Sequence, residues 1–297
     1  MKRINLMLFI LFAFGLQGRA MGQGEESASY TQNVSPPPIR TSHIQEGAMS
    51  SNNAAMYVGM DSGGIDLKMY GLSSEATWGI TDKVAISVVG AGLYGGSTGS
   101  MDTGMGSSSQ IDMSVGMGTV GANLLFSLVQ SEKRNSIGEI TKIGSGLSFF
   151  GGGQFSLMGM SFEIPVPENF SGMHGAHGTG RIYQFHIGAI GELALHSQIQ
   201  LVPYAYVGTT AGSINMTMYL GLETLEQTQD IPSSTLTSYG ADIVIRPSRT
   251  NPKLKISLGT LLQQIEANEG GMLFILIGLN YEIGTNYSEA SFGPVLQ

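Results

Sequence analysis

The sequence predicts an all-β protein, a transmembrane antiparallel β-barrel of about 12 strands, in which lipid-exposed backbone closes its hydrogen bonds between strands. Three observations predict it. Hydrophobic residues make up 42% of the chain and charged residues only 12%. Beyond residue 20 no apolar run is long enough to cross a bilayer as a helix. Short segments rich in Gly, Ser, Thr, Met and aromatics instead alternate apolar and polar residues between polar turns, almost to the C-terminus. A secreted β-sandwich also alternates, and roughly 230 residues suffice to build one, so it is the rival fold.

The first 20 residues read as a secretory signal peptide. Lys2 and Arg3 precede the apolar run Ile4–Leu16, and Gly18-Arg19-Ala20 ends in a small residue suited to signal peptidase. The chain has no Cys, which excludes a lipoprotein anchor, disulfides and thiolate metal sites. Cleavage after Ala20 removes Lys2, Arg3 and Arg19, leaving 11 basic against 22 acidic residues, a net charge of -11. That balance argues against nucleic acid as a partner and against anionic solutes as the default cargo. Residues 21–50 lack periodicity and contain Pro36, Pro37 and Pro38, so they read as an irregular extension on the periplasmic side. Residues 51–283 form the barrel, and 284–297 a C-terminal tail.

Period-two alternation defines the strands. Leu72, Ser74, Ala76, Trp78 and Ile80 share one face, and Thr81-Asp82-Lys83 then turns the chain. Val84, Ile86, Val88, Gly90, Gly92 and Tyr94 follow on one face, and Tyr183, Phe185, Ile187 and Ala189 alternate with Ile182, Gln184, His186 and Gly188. Leu236, Ala241, Ile243 and Ile245 form a less regular set around Asp242. Leu254, Ile256 and Leu258 face away from Lys253, Lys255 and Ser257, lipid on one side and lumen or rim on the other. The spacing predicts strands near 53–60, 65–79, 82–95, 112–129, 138–149, 153–163, 181–193, 199–211, 214–223, 236–246, 254–263 and 271–283. Gly-rich boundaries such as Phe149 to Gly153 leave eight, ten or fourteen strands open. An even number puts both chain ends on the periplasmic side. The 96–111 and 224–235 segments then read as outer loops, while 164–180 falls on the periplasmic side, where so long a segment is unusual.

Few residues carry a chemical pattern. Gly90–Gly95 and Gly116–Gly121 mimic a dinucleotide fingerprint, but they lie inside β-like segments without the helix that phosphate binding needs. His174 and His177 are weak metal candidates, with Glu168 and His186 as conceivable further ligands, so no metal site is assigned. Met101, Met105, Met113 and Met117 invite a thioether-metal reading. Met113, Val115 and Met117 share a strand parity, however, which favours a lipid-facing or packed stripe. There is no G-x-S-x-G elbow, and His196 reads as a turn residue. Glu75, Asp112, Glu192, Asp242, Lys253 and Lys255 are the candidate lumen or rim residues, because inward carboxylates and amines tune what a lumen admits. Trp78, Tyr94, Tyr183, Tyr204, Tyr206, Tyr239 and Tyr281 supply candidates for interfacial girdles, or for ordinary sheet packing.

Gly71–Val88, with its Gly79-Ile80-Thr81-Asp82 turn before Lys83 and alternating aliphatics, resembles a recurring hairpin of bacterial outer-membrane barrels. It is similar to the MetA-pathway phenol-degradation family, as is the closing segment Ile275–Ile283. The resemblance covers two or three hairpins and implies uptake of hydrophobic or aromatic solutes. Barrels of this kind usually end in an aromatic residue read by the barrel-assembly machinery. This chain ends in Gln297 instead, so the resemblance implies an internal assembly signal, expected around Tyr281.

The functional expectation is an outer-membrane barrel for passive passage or binding of a small solute, hydrophobic solutes included, without cofactor. Its expected partners are outer-membrane lipid, the assembly machinery and the solute. The alternative is a structural or adhesive surface barrel without an open pore, filled by its own side chains. A lipid-acting enzyme ranks third, since it needs a Ser/His pair at the membrane rim.

Overall fold

The computed structural model describes residues 46–62, 65–102, 108–134, 140–163, 173–220, 222–247, 254–265 and 271–283. The segment expected as an export signal, residues 21–45 of the expected 21–50 extension and the 284–297 tail lie outside them, as do Glu168 and Lys253, while Met49 and Ser50 of that extension already belong to the first strand. Twelve strands run in chain order: β1 (Met49–Ser62), β2 (Ile65–Gly79), β3 (Val84–Asp102), β4 (Ser108–Val129), β5 (Glu132–Arg134), β6 (Ile140–Ile143), β7 (Gly146–Glu163), β8 (Met173–His196), β9 (Ile199–Leu220), β10 (Glu223–Ile245), β11 (Leu254–Ile265) and β12 (Gly271–Ile283). Ten of them close a barrel in the order β1-β2-β3-β4-β7-β8-β9-β10-β11-β12, every neighbour antiparallel, and β5 and β6 form a small hairpin outside it.

Closure is staggered. From Met56 the pairing through β2, β3, β4, β7, β8 and β9 arrives at Gln229 on β10, whereas through β12 and β11 it arrives at Asp242. This offset is the shear that tilted strands need in order to close. Met49 of β1 pairs with Ile283 of β12, so both barrel ends lie at one rim, here the proximal end. The turn after β2 lies there too. Thr81 Oγ1 accepts from the backbone N–H of Val84 at 3.0 Å and of Lys83 at 3.2 Å, which makes Thr81-Asp82-Lys83 a tight turn.

The barrel has ten strands, not about 12, and two readings account for the difference. Gly151-Gly152-Gly153 reads as a break but lies inside β7, while the strand expected at 138–149 divides between the β5–β6 hairpin and the start of β7. The segments 199–211 and 214–223 are one strand, β9, and the 224–235 segment expected as a loop belongs to β10. With the count corrected, the connection after β7 moves to the distal end, and the long periplasmic segment disappears.

The outward face changes character along the axis. Ile86, Val88, Leu124, Ile187, Leu258 and Ile277 make an exposed apolar belt. Trp78, Phe126, Phe149 and Tyr281 ring its proximal side, and Tyr70, Tyr94 and Tyr183 its distal side. From Trp78 to Tyr70 the belt is about 20 Å tall, at about 3.3 Å per residue and a 40° tilt. Beyond the distal ring the outward residues turn polar, with Asp112, Thr179, Arg181 and Asn215 exposed. The inward face does the reverse. The buried charged residues Glu75, Glu192, Asp242, Arg246 and Glu282 all lie toward the proximal end, whereas the distal interior is built largely from Leu93, Val115, Met117, Met158, Ile182 and Ile214.

Candidate functional site: a filled lumen and a raised distal rim

Large side chains filling a ring of this size need small ones beside them. Gly188 provides the space: a Cβ there would stand 2.5 Å from Tyr206 Cβ and 2.6 Å from Phe150 Cζ. Phe150, His186 and Tyr206 meet in that space with ring centroids 5.9–6.2 Å apart. Gly259 does the same for Asp242, whose carboxylate occupies the place of a Cβ. Tyr206 is 2% exposed, Phe150 5%, Arg246 2% and Gln263 0%.

Hydrogen bonds tie this filling to the wall. His186 donates from Nε2 to Asn123 Oδ1 at 2.6 Å and accepts at Nδ1 from Gln184 Nε2 at 3.4 Å, a pattern that requires the neutral ring. Asn123 Nδ2 donates to Ser87 Oγ at 3.3 Å, and Gln263 Nε2 to Tyr206 OH at 3.3 Å. Thr77 donates to Glu75 Oε1 at 3.0 Å, and Tyr204 OH to Asp242 Oδ1 at 3.4 Å. Ser87, Asn123, Gln184 and His186 therefore form one chain of neighbours across β3, β4 and β8.

The expected lumen and rim residues part company here. Glu75, Glu192 and Asp242 point inward and are buried, and Lys255 is inward and half-buried near Glu282 of the neighbouring strand's end. Asp112 stands exposed on the outward face near the distal end, away from Glu75, Glu192, Asp242 and Lys255. Arg246 and Glu282 belong to the same buried charged set and were missed, although they share the strand parity of Asp242 and of Met272 to Asn280. His177 is exposed on the outward face, where Tyr219 OH lies 2.7 Å from its Nδ1. His186 faces inward, so the two imidazoles cannot share a metal. No group of three or more His, Asp or Glu suited to a metal occurs among the described residues. Met113 and Met117 face inward: the stripe is packed, not lipid-facing. Of the girdle candidates, Tyr204 and Tyr206 are interior residues instead. His196 is exposed in the β8–β9 turn, its Nδ1 3.4 Å from both Ser197 Oγ and the Gln198 backbone N–H, a turn contact with no acid beside it.

Two surface features complete the description. Between β1, β2 and β3 the small residues Ala55, Ser74, Gly90 and Gly92 leave a shallow hollow of about 480 Å³ in the apolar belt. Its polar atoms satisfy one another, Ser74 Oγ donating to Asn53 Oδ1 at 2.8 Å and Asn53 Nδ2 to Ser51 Oγ at 3.1 Å. β8, β10 and β9, at 24, 23 and 22 residues, are with the 22-residue β4 the longest strands, and their distal ends extend past β11, whose pairing ends at Leu236↔Ile265, as a flange. Met113, Met160 and Met216 line the inner approach to it, half-buried.

No known protein family and no curated protein matches the chain. Among solved structures, the translocator domain of the autotransporter NalP from Neisseria meningitidis is similar at a TM-score of 0.49 and 9% identity, over 80% of this chain and 89% of that one. Ail, the attachment invasion locus protein of Yersinia pestis, is similar at 0.34 and 10% identity, over 80% and 100%. An outer membrane channel from Pseudomonas putida F1 is similar at 0.32 and 9% identity, over 84% and 100%.

Proposed function

We propose that this chain is an outer-membrane β-barrel with a closed lumen, working as a structural or adhesive platform whose active surface is the distal flange. One observation carries the reading: inward side chains are buried from mid-barrel, at Phe150, Tyr206 and Gln263, to the proximal end, at Asp242 and Arg246. In a water-filled channel such groups stay hydrated, whereas here Gln263 Nε2 donates to Tyr206 OH and Tyr204 OH donates to Asp242 Oδ1, all four residues buried. The apolar belt between two aromatic rings supports a membrane setting, because amphipathic rings suit the headgroup layers and aliphatic side chains the acyl layer. The reading includes the export signal and insertion by the assembly machinery. It invokes neither catalysis nor cofactor.

The test is solute flux through proteoliposomes. Vesicles carrying the folded barrel retain small sugars and aromatic solutes as empty vesicles do. Rapid release of either would restore passive passage as the function.

A second reading, binding of a small apolar solute without passage, is favoured by the half-buried Met113, Met160 and Met216 at the distal mouth. Unbranched thioether side chains adapt to varied apolar shapes.

A further inference from the structure

We infer that the distal edge of β10, Glu223 to Thr235, is a docking edge for an extended polypeptide segment bearing basic residues, added to the sheet as one more strand. The inference deepens the platform reading and rests on it for the edge facing outward from the cell.

The register leaves the edge open. β10 pairs with β9 from Glu223↔Leu220 down to Ile245↔Ile199, but with β11 only from Leu236↔Ile265 onward. The connection after Ile265 has only residues 266–270 before Gly271, which pairs back with Gln264. Among the described residues no strand pairs with that side. In an antiparallel ladder, alternate residues direct their N–H and C=O groups to each neighbour, so one set here faces outward from the sheet.

Exposure and sequence fit a docking role. Every residue from Leu222 to Asp230 is exposed, so this stretch is bare on both faces as well as along its edge. Edges are usually blunted by Lys, Pro or a bulge. Between Glu223 and Ile231 there is no Lys and no Pro, and the only register shift lies below, at Ile231/Ser234 beside Pro232.

Charge chooses the occupant. Glu223, Glu226 and Asp230 lie on this edge, and no Lys or Arg occurs from Leu222 to Ile245. A second copy's β10 would bring like charges together across the new ladder, which is destabilising. A strand with basic residues at alternate positions meets Glu226 and Asp230, which share one face, with main-chain bonds for affinity and charge for choice.

The experiment is fluorescence anisotropy of a labelled extended peptide alternating lysine and valine, titrated with the folded full-length barrel in detergent. Saturable binding is expected, weakened at least about tenfold by Glu226→Lys with Asp230→Lys. It should be abolished when alternate amides of the peptide are N-methylated, and be unchanged by Asp112→Lys on β4. Heat-modifiable mobility on a gel checks that each variant is folded. No binding by the natural chain overturns the inference. Equal binding of the methylated peptide, or equal loss with Asp112→Lys, also overturns it by reducing the effect to general charge attraction. Solute flux by the same preparation would sink the closed-platform reading while leaving the edge result standing.

Discussion

Gly188 is a point at which the filled lumen is sensitive to a single methyl group. Its missing Cβ leaves room for Phe150 and Tyr206, which in turn enclose His186. Gly188→Leu should destabilise the barrel by roughly 1–3 kcal/mol through overpacking. Urea unfolding in lipid vesicles measures this as a lower midpoint. An unchanged midpoint would mean that the interior yields and is not packed as described. At this scale the sequence was half legible. Period-two parity put Gln184, His186 and Gly188 on one face and Glu75 opposite Trp78, but parity does not say which face is inside. In the belt the apolar face is the outer one. In the distal half it is the inner one, where Met113, Val115 and Met117 face the core. The same alternation therefore carries opposite meanings at the two ends, which left the methionine stripe undecided and put Tyr204 and Tyr206 among the girdle candidates.

The two strand-count errors have element-scale causes. Glycines usually mark turns, yet in β7 they mark close approach: a Cβ at Gly152 would collide with Ala122 O and Asn123 Oδ1 on β4. The run Gly151-Gly152-Gly153 is thus a place where two backbones and an inward Asn123 meet, not the end of a strand. The distal part of β10 was illegible for another reason. Exposed on both faces, it has no buried face to impose alternation, so Thr224 to Asp230 reads as a polar loop. β9 and β10 pair in register from Ile214↔Gln229 outward to Leu220↔Glu223, and this ribbon joins the sheet through β9, which pairs with β8 from Gly180↔Ile214 to Met173↔Leu220. Replacing 215–228 by an Asn-Gly turn should leave the barrel folded and heat-modifiable on a gel while removing peptide binding. Loss of heat-modifiability would show that the ribbon is part of the barrel's stability and not an appendage.

At the scale of the molecule, fold class, antiparallel order and an even strand count were legible, because lipid allows few ways to satisfy a backbone. Whether the lumen is open was not, since that depends on side-chain volumes meeting across strands far apart in the chain. Phe150, His186, Tyr206 and Gln263 come from β7, β8, β9 and β11, and no local pattern announces their meeting. Arg246, Glu75, Glu192, Asp242 and Glu282 are likewise buried on the inward face toward the proximal end. Ion pairs and hydrogen bonds in such a setting hold a unique arrangement only while the groups remain together. The most direct test is planar-bilayer conductance of the natural chain beside a Phe150→Ala, Tyr206→Ala double variant. The account predicts a silent natural barrel and measurable current through the variant, whose two removed rings leave a gap at mid-lumen. Steady conductance through the natural barrel, no larger in the variant, would contradict it.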